Sequence, residues 1–397
     1  MKYKIQQQKA FLVAILCLII LVCHQRPTLG NTQQPTDYQL EYLWQPISAT
    51  DTPGQIALLL PLSGPLAIAG QTVRDGVMTA YFSNQNLDQK IPIRIYDTHD
   101  HAIDKLYQQA VDHGAEVIIG PLDKQSVSQL TTIKPLPIPI VALNYSHPAD
   151  NIYQFGISPE YESHLVANKG RQDGHQRAMI IYPEGAWSQH LSQQFAQAWQ
   201  ASGGLIVETF QYKNNQNLDQ SIRQVLGVTA SQHRARTLRR ELANSRIQST
   251  PRRRQDIDMI FLIANPAQGR QIMPLLKFHY AGDIPVYATS MIFAGHNNPQ
   301  QDRDLNGIIF VDIPWIFDEQ NITDSLIGQQ QDKRLYALGL DAYQLARQVN
   351  HLNRYQYSGI PGQTGLLILQ DNQRIKRPLG WAQFQRGQPK LLTTRMS

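Results

Sequence analysis

The sequence predicts an α/β protein of two lobes, each a parallel sheet flanked by helices. Three observations predict it. Apolar runs of strand length recur along the chain, amphipathic helical stretches separate them, and the alternation starts afresh after residue 171. Strands apolar at nearly every position must be covered on both faces, which is the condition of a parallel sheet between helices. A second round of the same pattern implies a second sheet and a cleft between the two.

The first unit sets the grammar. In IALLLPLSGPLAIAGQTVRDGVMTAYF, Ile56 to Phe82, an apolar strand breaks at Ser63-Gly64-Pro65 and opens into a helix expected from about Ala69 to Phe82. Ligands of open α/β sheets lie beyond the carboxyl ends of the strands, so this loop points to binding or docking. PIRIYDT, a helix across Ala102 to Asp112, EVIIGP, a short helix near Gln125 to Thr131, IPIVALN and YQFGISPE continue lobe one. A helix across Glu160 to Arg171 leads out of it. Lobe two then runs through RAMIIYP, a helix over Ser188 to Ala201, GLIVETFQY, a helix near Leu218 to Val225, IDMIFLIAN, a helix over Ala267 to His279 and PVYATS. After NGIIFVDIPW, the apolar face of RLYALGLDAYQLARQV marks a long helix. TGLLILQ and WAQFQRGQPKLL, split by the polar turn at Asp371-Asn372, read as a closing hairpin.

These elements give residues 56–397 as one two-lobed domain. Lobe one takes about 56–170 plus the helix 332–350; lobe two takes about 175–290 plus parts of the C-terminal segment. Residues 1–30 read as a signal segment, because Lys2, Lys4 and Lys9 precede an apolar run from Ala10 to Cys23 that is short for a membrane span. Thr28 and Gly30 offer an ordinary cleavage site before Asn31, whereas Val22 before Cys23 and Leu16 before Cys17 are poor settings for lipidation. Residues 31–55 are a polar, proline-bearing linker.

Composition narrows the function. With 42% hydrophobic and 17% charged residues the chain has an ordinary globular balance, which argues against disorder. Residues 1–30 contain four cations (Lys2, Lys4, Lys9, Arg26) and no acid, so without them the formal charge falls from +5 to +1. A nucleic-acid partner loses its compositional support. Both cysteines, Cys17 and Cys23, lie in that segment, leaving residues 31–397 without a disulfide, thiol nucleophile or thiolate metal site.

Candidate sites carry two readings each. Ser63 and Gly64 could present backbone N–H groups to a ligand, or simply make a turn. Gly120-Pro121 and Asn144 close two further strands on the same edge, and Asn265-Pro266 opens a lobe-two helix; all serve equally as turns and caps. Their shared placement keeps a ligand cleft in view. Asp97, His99, Asp100, His101 and Asp104 are a dense set of metal-ligand types, but without a second cluster at defined spacing they read as a solvated loop with a helix cap at Asp100. No GxSxG elbow, HExxH or Walker loop is present, which disfavours an enzyme while leaving open a triad assembled from distant positions; no cofactor or metal is expected. The Asn321-Ile322-Thr323 sequon reads as a chance match.

The segment from Lys213 to Gln255 is chemically distinctive. It carries Arg223, Arg234, Arg236, Arg239, Arg240, Arg246, Arg252, Arg253 and Arg254 against Asp219 and Glu241. Such a patch suits an acidic protein surface or an anionic polymer. The competing reading is a solvated helix face, with some arginines paired to Asp256 and Asp258.

Taken together, IALLLPLSGPLAIAGQTVRDGVMTAYF, GAEVIIGPLDKQSV, PRRRQDIDMIFLIANPAQGRQIMPLL, PVYATS, DRDLNGIIFVDIPW and RLYALGLDAYQLA closely resemble the carboxyl-terminal domain of the LppC family of penicillin-binding protein activators. The resemblance runs from about Ile56 to the end. It implies a fold like the type I periplasmic binding proteins, turned to regulation. It further implies a non-catalytic, periplasmic, outer-membrane-associated protein that activates a bifunctional class A penicillin-binding protein by stimulating its transpeptidase. Peptidoglycan is a further possible partner, and a monomer is expected; the alternative is a periplasmic solute-binding protein for amino acids or cell-wall fragments. Two departures are expected: the family's amino-terminal helical-repeat domain is missing ahead of Ile56, and the lipidation site is degraded. A flexible linker of ~24 residues would span roughly 25–30 Å, far less than a repeat array. The docking surface is expected to include Arg234, Arg236, Arg239, Arg240, Arg252, Arg253 and Arg254.

Overall fold

The computed structural model describes residues 54–83, 91–213, 217–242, 250–318, 332–350 and 359–392. The signal segment, both cysteines, nearly all of the linker, Arg246 and the Asn321 sequon fall outside them.

Lobe one is a five-stranded sheet in the order β2-β1-β3-β4-β5, with β1 at Ile56–Leu60, β2 at Ile93–Asp97, β3 at Val117–Ile119, β4 at Ile140–Ala142 and β5 at Ile152–Gln154. Every pairing is parallel. The IALLL run explains itself here: all five β1 side chains are buried. Ile56, Leu58 and Leu60 enter one apolar core while Ala57 and Leu59 enter another, as alternate strand side chains must. Helices α1 (Ala67–Ser83), α2 (Ile103–Asp112) and α3 (Lys124–Leu130) cover the sheet. The cap expected at Asp100 is not formed. Asp100 sits at φ 56, and α2 starts after Ala102 with no side-chain cap.

Helix α4 (Pro159–Gln172) leads to lobe two, whose strands are β6 (Arg177–Pro183), β7 (Leu205–Tyr212), β8 (Met259–Leu262), β9 (Val286–Ala288) and β10 (Ile309–Asp312). Their order, β7-β6-β8-β9-β10, repeats the winding of lobe one. Helices α5 (Ala186–Ala201), α6 (Leu218–Val225), α7 (Val228–Glu241) and α8 (Pro266–Phe278) complete the lobe, and α9 (Lys333–Arg347) follows β10.

Helix α9 packs against α1 in lobe one. Gly76 and Gly339 let the two backbones touch: a Cβ on Gly76 would lie 2.1 Å from the Tyr336 carbonyl oxygen, and one on Gly339 would lie 2.2 Å from that of Val73. Thr79 Oγ1 and Tyr336 OH, 2.7 Å apart, hydrogen bond across the same crossing.

The C-terminal strands correct the expected hairpin. TGLLILQ supplies β12 (Gly365–Leu369), which pairs antiparallel with β11 (Ile360–Gly362) and, across the Asp371-Asn372 turn, with the two-residue β13 (Ile375–Lys376). Ile360, Leu367, Leu369 and Ile375 bury in the lobe-one core. WAQFQRGQPKLL instead forms its own hairpin, β14 (Gly380–Gln385) and β15 (Gln388–Leu391), added antiparallel to β10 of lobe two. Its loop residues Arg386 and Gly387 have φ 55 and 76, the positive pair that a two-residue hairpin turn requires. The chain therefore crosses between lobes three times: after β5, between β10 and α9, and between β13 and β14.

Candidate functional site

The lobes enclose a cleft of about 1110 Å³. Lobe one contributes Lys124 from the start of α3 and Asn144, Tyr145 and His147 from beyond β4. Helices α4 and α5 contribute Tyr161, His164, His190 and Gln194, and the last crossover contributes Arg374, Lys376, Arg377 and Leu379. Of the six cleft candidates in the sequence, Asn144 lines this cavity. Its Nδ2 donates to the Leu122 carbonyl at 3.0 Å, and its Oδ1 accepts from the Tyr145 N–H at 2.9 Å.

The other five build turns and caps. Ser63 Oγ donates to Asp97 Oδ2 at 2.6 Å, and the N–H groups of Leu62 and His99 donate to Asp97 Oδ1. Burial would raise the Asp97 pKa, but these donors to its ionised form prevail and hold it down at about 2. Gly64 takes φ 71 against the His99 ring. Gly120 takes φ 105 before a cis bond to Pro121, with its Cα facing the Leu59 carbonyl. Asn265 caps α8, accepting from the Gln268 N–H, while Gln268 accepts from the Asn265 N–H.

Beneath the cleft a buried polar cluster ties the crossovers together. Arg334, at the start of α9, donates through Nε and Nη2 to both oxygens of Asp312 at the end of β10, and through Nη2 to the carbonyls of Ser290 and Phe293. On α4, Glu162 accepts from the Ser290 N–H at 2.8 Å and Ser290 Oγ at 2.9 Å. Arg377, in the third crossover, donates to the Gly156 carbonyl of the first at 2.7 Å and lies over the Phe155 ring.

Burial, aided by the neighbouring Asp312 charge, pushes Glu162 up to about 7 against the donors of Ser290 and the charge of Arg334. A carboxyl raised from 4.5 in this way holds a proton in the folded state that the unfolded chain has released. Its contribution to stability is thus fully present below about 4.5 and is lost as pH rises through 7. Glu162→Gln keeps the shape and the bond from the Ser290 N–H, with its Nε2 donating to Ser290 Oγ in place of the second accepted bond, so the variant is expected to lose part of the parent's stability rise on acidification from pH 8 to 5.5. Urea midpoints across that range test this, and parallel pH profiles would contradict it.

The arginine-rich segment divides in two. Arg254 donates to Asp256 and Glu208, and Arg253 donates to Asp283 and the Tyr280 carbonyl. The charge-assisted bond from Arg254 holds Asp256 below its ordinary pKa, and that from Arg253 does the same for Asp283. Arg254 itself is pushed up by the Asp256 bond. Asp258 pairs with Arg177, not with a member of the segment. Arg234, Arg236, Arg239 and Arg240 lie exposed on α7, and Arg252 is exposed beside them, its N–H donating to Ser231 Oγ. Arg234, Arg252, Arg253 and Arg254 line a concavity of about 730 Å³ between α6 and α7. Arg253 is tied to the end of α8 by its bond to the Tyr280 backbone carbonyl, and the Tyr280 side chain is half exposed.

Residues 45–387 match the family described as "LppC putative lipoprotein". The chain belongs to the LppC family. It is 27% identical over 345 residues to a protein of Vibrio antiquarius named penicillin-binding protein activator LpoA, covering 83% of this chain and 57% of that one. It thus spans little more than half the length of such relatives. The LppC chain superposes on the C-domain of Haemophilus influenzae LpoA, described as a regulator of PBP1A, with TM-score 0.67 at 25% identity, covering 85% of this chain and 100% of the other. An ABC-transporter solute-binding protein of R. palustris, in complex with 4-hydroxybenzoate, shares the fold with TM-score 0.54 at 12% identity over 85% of this chain and 95% of that one. The expected two-lobed fold of the type I periplasmic binding proteins is therefore the fold found.

Sequence reasoning missed most of the cleft wall of this LppC chain. Tyr145 and Tyr161 gave no signal beyond an aromatic in a loop or helix start. Arg374, Lys376 and Arg377 form a basic run in RIKR. That run was the available signal, but its partner wall is more than 200 residues distant in the chain.

Proposed function

We propose that this LppC chain is a non-catalytic periplasmic regulator that docks on a bifunctional class A penicillin-binding protein and stimulates its transpeptidase activity. The arginine-bearing face of lobe two carries the reading. Arginine is enriched at interface centres, and here Arg234, Arg236 and Arg252 stand on α7 and beside it without an ion-pair partner among the described residues. The names of the relatives, activator and regulator, agree with it. The signal-like residues 1–30 support a location outside the cytoplasm.

An activator must bind the active state of its synthase better than the inactive one, since equal affinity shifts no equilibrium. A rigid face serves that purpose. The alternative, a solute-binding protein that closes on its ligand, requires rotation about crossovers that Arg334 and Arg377 tie together in the interior.

The test is surface plasmon resonance against the detergent-solubilised synthase, paired with a cross-linking assay. Changing Arg234, Arg236 and Arg252 to Glu together is expected to weaken binding at least tenfold, flatten its salt dependence and reduce stimulation, because reversed rim charges slow encounter and repel an acidic partner. Unchanged affinity would remove the arginine face from the interface.

A further inference from the structure

We infer that the outer end of α7 is a surface anchor for anionic phospholipid, seated among the headgroups with Leu238 and Leu242 toward the acyl boundary and the neighbouring arginines on the phosphates. The proposal does not rest on the docking reading.

The helix leaves lobe two along its own apolar stripe. Positions three and four residues apart share one face of a helix, and here they are Val228, Ser231, Ala235, Leu238 and Leu242. Val228 is 1% exposed in the lobe-two core, Ser231 and Ala235 are half-buried, and Leu238 and Leu242 are each 47% exposed. The stripe that fastens the first turn is thus uncovered at the last. Single exposed leucines are ordinary, but a pair at i and i+4 makes one patch.

Charge decides what covers that patch. From Arg234 to Glu241 the helix carries Arg234, Arg236, Arg239 and Arg240, all exposed, against the one acid. At 3.6 residues per turn, Arg234 falls about 40° to one side of Leu238 and Arg239 about 60° beyond Leu242 on the other. The leucines are therefore flanked by cations on both sides. A second copy of the chain is a poor partner, because stripe meeting stripe would set arginine against arginine.

A helix-binding groove on a protein is served little better. Such grooves read several apolar anchors over two turns, whereas the stripe positions before Leu238 are the small Ser231 and Ala235. A bilayer surface asks for less. Its phosphates move to meet each arginine without a fixed pairing geometry, and each cation adds its own attraction to an anionic surface. The long arginine stems lie along apolar surface while their heads reach the phosphates, so two leucines rimmed by arginines form a short interfacial wedge. At 14 residues α7 is too short to span a bilayer, which leaves it on the surface.

A tryptophan placed at Leu242 in the full chain tests this locally, whatever the apolar run near the N-terminus does. Its emission, read against the parent chain, is expected to shift to the blue and to be quenched at least threefold by brominated vesicles of phosphatidylethanolamine with about a quarter phosphatidylglycerol. Brominated phosphatidylcholine vesicles are expected to leave it unchanged. High salt, or the added pair Arg239→Gln and Arg240→Gln, is expected to remove most of the quenching. Circular dichroism checks the fold, and Leu238→Trp is the second reporter if Leu242→Trp does not fold. Equal quenching by both vesicle types, no quenching by either, full quenching in the arginine double variant, or a shift caused by the detergent-solubilised synthase and not by vesicles would each overturn the proposal. The vesicles contain no synthase, so failure here leaves the docking reading untouched.

Discussion

Replacing Arg334 by methionine is expected to destabilise the protein by about 3–5 kcal/mol, because it strands the Asp312 carboxylate in the interior without its counter-charge. Both groups are buried, and the same guanidinium also satisfies the carbonyls of Ser290 and Phe293. Desolvation pushes the Asp312 pKa up, and the Arg334 charge opposes it. Removing the arginine therefore leaves a carboxyl that must take up a proton or remain a lone buried charge. The double change Arg334→Met with Asp312→Leu is expected to recover much of the loss, since an apolar pair of similar volume carries no desolvation penalty. Urea unfolding of the two single variants and the double variant measures this. A loss below about 1 kcal/mol in Arg334→Met would show that the pair contributes little. Because Arg334 opens α9 and Asp312 closes β10, the same variants report how firmly the second crossover holds the lobes.

The second large effect is expected at Gly339. Alanine within a helix is intrinsically favoured over glycine by about 1 kcal/mol, so an exposed site would gain from Gly339→Ala. Here the added methyl would sit 2.2 Å from the Val73 carbonyl oxygen and 3.0 Å from Val77 N. Helices α1 and α9 must separate to admit it, breaking the packing of Val73, Val77, Leu338 and Ala342 in the lobe-one core. Overpacking of this kind costs roughly 1–3 kcal/mol and outweighs the propensity gain. Thermal melting is expected to show a lower Tm for Gly339→Ala, and an equal or higher Tm would mean that the helix pair yields easily.

The fold was legible where burial imposes a pattern. IALLL, RAMIIYP and MIFL announced parallel strands because a strand covered on both faces has no polar position to spare. Asn265-Pro266 announced a helix start because a cap acts on N–H groups three residues away. Legibility failed with distance. The two-residue β13 has no local pattern, so the sequence pairs TGLLILQ with WAQFQRGQPKLL, whereas TGLLILQ pairs with β13 and WAQFQRGQPKLL folds into a hairpin of its own. The arginine segment shows the same limit in chemistry: Arg252, Arg253 and Arg254 are neighbours in sequence, yet Arg252 is exposed while the other two are bonded to Asp283, Glu208 and Asp256.

The sequence by itself determined the alternation of strand and helix, the existence of two sheets and the family, because these rest on local burial and on long ordered motifs. The tertiary structure alone decided which residues share the cleft, which arginines are committed to carboxylates, and how Glu162, Ser290, Asp312 and Arg334 meet beneath it. Those four lie on four separate elements. Short-range forces set each element, but the bonds among them form only after the chain has closed loops of more than a hundred residues, such as Glu162 to Ser290.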